Sequence, residues 1–518
     1  MSTSPAPSSP APNKPLRASA KPLPRDQHDV VVIGAGFGGL ATALRLAEQG
    51  VDVALCENLK YPGGCASTFE RQGARFEAGA TLFSGFAPGQ PFAQWIERHK
   101  MDVQIDWIDP IVEMRAPGLH LDVPRQRQTL IDRFCEMPGA PQQALRAFFD
   151  HQRRVADALW ELFADPALLP PFKMGAFFEH VRRSPRYLPL LSLVGRPLGK
   201  VLERHGLTDF EPLRIYLDAL CQITVQASAA QAEAPFALAA TDYFFRGTGH
   251  VRGGIGQLAT AMVKAIKDCG GHVYMPNRVR GMKRTAEGWA LDTRRGPIKA
   301  RKVVANLLPQ DLRALLQTHS EERFAALDKL SERVEGGWGA AMLYLTIAPS
   351  AHAPDAACHL EMVIDPKAPF IEGNHLFCSV SGAHEERTDQ GMRTATVSTH
   401  VPIQKLYAMD DDAQSQYIDR IHQSMRQGLQ AMAPEWITGH IQSEMTASPR
   451  TFARFTRRHL GCVGGIPRQY GLAHYRQLTP FEPANGVFMV GDSVFPGQST
   501  LATAIGGIKV ADTIAKSL

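Results

Sequence analysis

The sequence predicts an α/β protein: a Rossmann-like nucleotide-binding domain assembled from discontinuous segments, joined to a mixed-sheet substrate domain and carrying a helical insertion. Three observations predict it. An apolar, β-branched run, Val30-Val31-Val32-Ile33, passes directly into Gly34-Ala35-Gly36-Phe37-Gly38-Gly39 and then into Leu40, Ala43, Leu44 and Ala47 at helical spacing, the pattern of strand, tight turn and helix. A second run, Val51 to Cys56, ends on an acid, Glu57. Far downstream, Val487-Phe488-Met489-Val490 leads into Gly491-Asp492 ahead of a last helical segment, Thr500 to Ile514.

The first glycines have separate tasks. Gly34 permits the turn out of the strand, Gly36 lets backbone approach a pyrophosphate, and Gly39 lets helix and strand pack closely, with Gly38 inside the same motif. The helix that follows offers unpaired N–H groups and a positive dipole end to phosphate. Glu57, 23 positions beyond Gly34, can hold both hydroxyls of an adenosine ribose and disfavours a 2′-phosphate, which leaves FAD or NAD rather than NADP.

Next along the chain, Tyr61-Pro62-Gly63-Gly64-Cys65 is a turn whose bare backbone can lie against a phosphate or ring. Residues 69–79 alternate like a hairpin and end at Gly79, which can face a flat cofactor or simply make a turn. Residues 90–165 become helical in pattern, with Phe148, Val155, Leu159, Leu162 and Phe163 on one face. Between 172 and 204, Lys173, Arg182, Arg183, Arg186, Arg196, Lys200 and Arg204 outnumber Glu179 and Glu203 and alternate with apolar residues such as Phe178, Tyr187 and Leu191. Prolines 185, 189 and 197 predict short broken helices there. Such segments suit either a bilayer interface with anionic lipid or a helical lid with a buried apolar face.

From Gly247 the α/β pattern returns. Gly253 to Ile266 reads as turn and helix, His272 to Met275 as a strand, Val279 as a backbone neighbour of adenine or a core residue, and 296–306 as a further strand. Residues 310–460 mix amphipathic helices with strands such as 341–346. Phe236, Tyr243, Phe244 and Phe245 line an apolar tunnel or belong to the core. At the end, an Asp at a strand tip accepts from ribityl hydroxyls while the last helix points its N-terminus at an electron-rich ring, so Gly491-Asp492 argues for FAD over NAD. The expected division is therefore 1–27 disordered extension; 28–115, 245–308 and 462–518 FAD-binding domain; 116–244 helical insertion with membrane-associating character; and 309–461 substrate-binding domain.

Composition agrees with this plan. The chain has 518 residues, 44% hydrophobic and 21% charged, with net charge +5, enough for several domains. No apolar run is long enough to predict a spanning helix. Its eight cysteines, scattered without a Cys-x-x-Cys pair, predict reduced thiols and neither a disulfide framework nor a metal site. Residues 1–27 lack the apolar core of a secretory signal, leaving a disordered extension or a basic, Ser-rich transit peptide. No nucleic-acid motif accompanies the basic stretch, so no nucleic-acid partner is expected.

From residue 28 onward the chain resembles the flavin-dependent carotenoid desaturase and isomerase family. The resemblance is carried by Val32 to Leu40, by Pro62-Gly63-Gly64-Cys65-Ala66-Ser67-Thr68-Phe69, by Ser448-Pro449-Arg450-Thr451-Phe452 leading to Gly464-Gly465, and by Val490 to Ser493 with Phe495-Pro496-Gly497. Within the family it looks most like the carotenoid 3′,4′-desaturases; phytoene desaturases more often carry Arg where Cys65 stands. The resemblance implies FAD held by Gly34, Gly36, Gly38, Gly39, Glu57, Asn58, Gly63, Gly64, Gly79, Val279, Gly491, Asp492, Gly497 and Leu501, with no metal. It implies an FAD-dependent oxidoreductase that forms a double bond beside a polyene in a hydroxylated acyclic carotenoid end, with quinone or oxygen as electron acceptor. Its setting would be cytoplasmic and peripheral to a membrane surface, where a carotenoid dissolves. The alternatives are a cis-trans isomerase, a phytoene- or lycopene-type desaturase, and a non-catalytic isoprenoid escort protein. No catalytic base is assigned: His250, Arg468, Tyr470 and Glu482 read better as structural hydrogen-bonding groups.

Overall fold

The computed structural model describes residues 23–79, 81–165, 168–170, 174–319 and 321–518. Most of the expected N-terminal extension, and Phe172 and Lys173 of the basic stretch, lie outside the described residues. Gln27, at the end of that extension, already opens the first strand.

The first sheet has eight strands. At its centre β1 (Gln27–Ile33) lies parallel between β2 (Val53–Cys56) and the strand Ile298–Ala305, with His272–Tyr274 parallel beyond β2. Val30, Val31 and Val32 are wholly buried, as expected of a parallel strand covered on both faces. The strand Ile298–Ala305 changes neighbours along its outer edge. Its first residues pair antiparallel with Gly288–Thr293, whereas Val303 to Ala305 pair parallel with Val487–Met489. In register, Ile33, Cys56, Tyr274, Ala305 and Met489 come level at one edge. That carboxyl edge is where an open α/β sheet binds its ligand. The helix α1 (Phe37–Glu48), Ile255–Asp268 and Thr500–Ala515 share a core on one face. Pro309–Gln317 and Ala325–Glu335 cover the other.

The second sheet runs in the order Ile441–Ala447, Trp338–Ile347, Arg393–Pro402, His375–Val380, Cys358–Val363, Val112–Ala116, Leu119–Val123. Its two faces alternate residue by residue. Leu360 and Met362 join the core under the helix Asp411–Met432, while Val363, Met114 and Phe370 join the helical layer made by Gln142–Ala164, Glu211–Thr224 and Ala234–Ala240.

Two sequence expectations change here. Residues 90–165 are not helical throughout: Val112–Ala116 and Leu119–Val123 form a hairpin at the edge of the second sheet, pairing parallel with Cys358–Val363. A boundary at residue 115 therefore falls inside a strand of the second sheet. The period-two burial of Val112, Met114 and Ala116 around the Pro117-Gly118 turn is the signal that the helical reading passed over. Likewise, neither Pro185 nor Pro189 breaks its segment, which is helical from Met174 to Leu191, whereas Pro197 stands at the N-cap of the next helix, Leu198–Arg204. A proline leaves the carbonyl four residues back without its N–H donor. The Ser184 hydroxyl donates to the Val181 carbonyl at 2.8 Å and takes that place.

A buried ionic chain ties the hairpin Thr68–Glu77 and the short strand His250–Val251 to the loop that joins His375–Val380 and Arg393–Pro402 of the second sheet. Arg387 bonds Glu77 at 3.2 Å and Glu385 at 2.8 Å, and Glu385 also meets His250 Nε2 at 2.8 Å. Glu385 further accepts from the Gly253 and Gly382 N–H groups. No described helix is long and apolar enough to cross a membrane.

Candidate functional site

A cavity of about 860 Å³ opens at the carboxyl edge of the first sheet and runs between that sheet and the helical layer to the floor of the second sheet. Its polar end is built by the turn between β1 and α1. The Gly34 N–H bonds the Cys56 carbonyl at 2.8 Å, and the Gly63 N–H bonds the Ala35 carbonyl at 2.8 Å, holding the two glycine turns side by side. A Cβ on Gly36 would stand 2.6 Å from Asn306 Nδ2, and one on Gly491 2.8 Å from Asn306 Oδ1. Only glycine fits at either place without moving Asn306.

Glu57 directly follows β2 beside this turn and is almost wholly buried. One carboxylate oxygen accepts from the Ala35 N–H at 2.7 Å and the other from the Leu59 N–H at 2.7 Å. Burial pushes its carboxyl above the usual range, against the N–H groups of Leu59, Ala35 and Asn58. Each oxygen keeps a second lone-pair direction for a hydroxyl donor.

The far segment closes the cradle. Asp492 follows the last strand of the first sheet and bonds Arg458 at 2.7 Å. Arg458 also donates to the Cys462 and Gly464 carbonyls. Burial opposes its positive charge, but Asp492, Cys65, Cys462 and Asp311 raise its pKa. Ser499 caps Thr500–Ala515 by accepting from the Ala502 N–H, and Thr500 and Leu501 at that helix start line the cavity. Arg278, Arg280 and Arg457 stand around the same end, a cationic setting suited to a pyrophosphate.

Of the residues expected from sequence, Gly34, Gly36, Gly38, Glu57, Asn58, Gly63, Gly64, Gly79, Val279, Gly491, Asp492 and Leu501 all line this one cavity. Gly39 and Gly497 do not. A Cβ on Gly39 would collide with the Gly34 carbonyl, so its task is packing α1 against β1, and Gly497 lies against the Arg468 guanidinium. Sequence reasoning missed Asn306, Arg458, Gln226 and Gln498 as lining residues. The first two adjoin segments it had singled out, a strand end and the Pro-Arg-Thr-Phe motif. Gln226 and Gln498 meet beside Gly464 across more than 270 positions, with no local signal.

The other end of the cavity is apolar. Trp160, Phe163, Phe236, Tyr243 and Phe377 line it, and Arg468 lies over the Phe236 ring at 3.7 Å. Phe244 belongs to the core instead. Among the remaining polar candidates, His250 is held by Glu385, Glu482 accepts from the Gly486 N–H, and Tyr470 is exposed. Among the described residues, two His-carboxylate groupings, His28 with Asp52 and His272, and Glu113 with His120 and Asp122, occur elsewhere, and neither lines the cavity. All eight cysteines are free.

Comparison with known proteins gives the following likenesses. The model of the family described as flavin containing amine oxidoreductase matches residues 37–342. Prolycopene isomerase 2, chloroplastic, from an Oncidium hybrid cultivar is 24% identical over 95% of this chain and 84% of its own length. The neurosporene-forming phytoene desaturase of Cereibacter sphaeroides is 28% identical over 49% of this chain and 47% of its own. Among solved structures, an oxidoreductase from Methanosarcina mazei has a TM-score of 0.59 at 18% identity, covering 93% of this chain and 99% of that one. A putrescine oxidase double mutant has a TM-score of 0.59 at 14% identity, covering 95% and 99%. The structural likenesses establish the fold.

Proposed function

The chain belongs to the flavin containing amine oxidoreductase family, and on that premise we propose that it desaturates a carotenoid, forming a C–C double bond, at C-3′,4′, in a hydroxylated acyclic end. The observation that carries this reading is the single cavity that joins a glycine-and-carboxylate cradle to an aromatic sector. A cradle that a Cβ would fill, a buried carboxylate with spare acceptor directions and a ring of arginines fit FAD. The residues that would hold it are Gly34, Gly36, Gly38, Gly63, Gly64 and Gly491 at the pyrophosphate, Glu57 with Asn58 and Val279 at the adenosine, and Gly79, Asp492 and Leu501 toward the flavin, with Gly39 and Gly497 supporting them from behind. When bound, the flavin supplies a two-electron acceptor. The protein's own part is to bind, orient and exclude water: the aromatic walls align a polyene, and Glu385 keeps His250 occupied as a structural group.

The expected domain division is part of this reading, with the edge hairpin 112–123 counted with the substrate domain. Quinone or oxygen is the electron acceptor. Exposed Phe178, Val181 and Leu191 on the helix Met174–Leu191 support attachment at the cytoplasmic surface of a membrane, where the substrate resides.

A second reading, cis-trans isomerisation, is supported by the relatives named prolycopene isomerase, which align over 95% of this chain. Flavin-loaded protein is incubated with a hydroxylated acyclic carotene, lycopene and a cis-lycopene, and products are separated and weighed. A product two hydrogens lighter from the hydroxylated substrate is expected. A product of unchanged mass from the cis substrate alone overturns desaturation in favour of isomerisation.

A further inference from the structure

Three parallel strands of the first sheet begin side by side at its amino edge, the edge opposite the cavity. Each brings one potential metal ligand. His28 lies on β1, Asp52 directly precedes β2, and His272 opens the strand His272–Tyr274. Backbone pairing fixes where these residues stand: the Asp29 and Val30 N–H groups both donate to the Asp52 carbonyl, at 3.0 and 3.1 Å, and His272 is in register with Ala54.

One ligand atom from each of the three lies within 4.8 Å of the other two. Asp52 Oδ1 stands 2.9 Å from His28 Nδ1 and 3.9 Å from His272 Nε2. Nitrogen and oxygen ligands sit about 2.0–2.2 Å from zinc, so the atoms around a tetrahedral ion are roughly 3.3 Å apart. The two observed spacings straddle that value.

The hydrogen bonds behind His28 set its tautomer. The side chain is wholly buried, and its Nε2 is 3.1 Å from the Tyr274 hydroxyl. That hydroxyl donates to the Arg25 carbonyl at 3.1 Å, so its oxygen accepts from His28 Nε2–H. In the neutral ring Nδ1 is then the lone-pair nitrogen, and this is the atom beside Asp52. Two acceptors at such a distance need a proton or a cation between them. A ligating histidine is held in this manner, its far N–H bonded to a partner that fixes tautomer and ring plane. Arg25 bonds the other Asp52 oxygen, Oδ2, at 2.8 Å, which leaves Oδ1 to the imidazoles. The second grouping among the described residues, Glu113 with His120 and Asp122, offers one histidine, and that one is 64% exposed.

Two imidazoles and one carboxyl oxygen suit a borderline transition-metal ion rather than Mg²⁺ or Ca²⁺, which take oxygen. We propose that His28, Asp52 and His272 form a binding site for Zn²⁺ or a similar divalent ion, with the fourth position open to water. Neither the cysteine spacing nor the family resemblance points to it, and it stands apart from the choice of substrate. Its ligands come from three segments separated by up to 244 positions, so a bound ion ties the starts of three strands together and stabilises the folded sheet.

The test uses the full chain, flavin-loaded and without an affinity tag, titrated with Zn²⁺ against a chromogenic chelator and separately with Mg²⁺. The native protein should bind one equivalent of Zn²⁺, and Zn²⁺ but not Mg²⁺ should raise its melting temperature. His272→Ala and Asp52→Asn should each weaken binding by more than the roughly 10- to 100-fold that loss of an outer partner costs. Neither variant should be stabilised by Zn²⁺. His272 is one-third exposed, so His272→Ala should melt with the native protein when metal is removed. If it fails to fold, Asp52→Asn, which keeps the shape of the side chain, carries the same comparison. His120→Ala should bind as the native protein does. No uptake by the native protein, or equal uptake by the His272 and Asp52 variants, overturns the site and leaves His28 and Asp52 sharing a proton.

Discussion

Glu57 illustrates how one side chain serves both the turn and its ligand. Its two oxygens take the Ala35 and Leu59 N–H groups, and a glutamine there would turn an NH2 toward one of those donors. Glu57→Gln should therefore weaken flavin retention roughly 10- to 150-fold, the equivalent of about 1.5–3 kcal/mol for a charge-assisted hydrogen bond. Equilibrium dialysis with flavin fluorescence measures it. The same carboxyl is raised by burial, so it protonates at a higher pH than an ordinary glutamate. Flavin affinity, which depends on the ionised form, should fall on acidification before ordinary carboxylates titrate, and Glu57→Gln should lack that step. The role of Glu57 was legible because its neighbours along the chain are a strand and a glycine turn at a fixed distance. Asn306 was not: it reaches Gly36 and Gly491 only because three strand ends come level, and no local pattern encodes that meeting.

Among the elements, the helix Met174–Leu191 is the most informative. Its arginines are not simply free charge: Arg182 and Arg183 pair with Glu179, and Arg186 with Glu161. Exposed pairs of this kind contribute little to stability and are screened by salt. The exposed apolar side chains therefore decide its role. Phe178→Asp combined with Leu191→Asp should reduce co-sedimentation with anionic liposomes severalfold while leaving the melting temperature within a few degrees. Equal sedimentation of variant and native protein would remove this helix as the contact surface. The continuity of the helix was hidden by Pro185, because propensity counts the missing donor but not the Ser184 hydroxyl that replaces it. The edge hairpin was hidden for a different reason: five residues on each side of Pro117-Gly118 are too few for a helical window to register a period of two.

For the molecule as a whole, the chain Glu77, Arg387, Glu385, His250 joins a hairpin of the cofactor region to the second sheet. Burial opposes ionisation of Glu385, yet the hydrogen bond and charge of His250, the charge of Arg387 and the Gly382 N–H hold it well below the ordinary value of 4.5. A depressed carboxylate contributes stability that is complete above its unfolded value and is lost as pH falls through the folded one. Glu385→Gln should thus lower stability by about 3–5 kcal/mol near pH 7, and the difference should shrink below about pH 4. Urea unfolding followed by tryptophan fluorescence at both pH values measures it; an equal gap at both would deny the ionic contribution. The α/β class and the assembly of one sheet from distant segments were readable because parallel strands are uninterrupted apolar runs. The arrangement of the second sheet was not readable, since its order is set by pairings between segments more than 200 residues apart.

The strand Ile298–Ala305, which exchanges one neighbour for another halfway along its edge, also imposes a timetable on synthesis. Its first residues can pair with Gly288–Thr293 as soon as residue 300 has left the ribosome, but Val303 to Ala305 wait for Val487 to Met489. Asp492 and the start of the last helix are made later still. Until then the nascent chain holds β1 and its glycine turn without the wall that closes them, exposing apolar strand edges of the kind that chaperones guard. Loading of the flavin is accordingly an event of the finished chain rather than of the growing one.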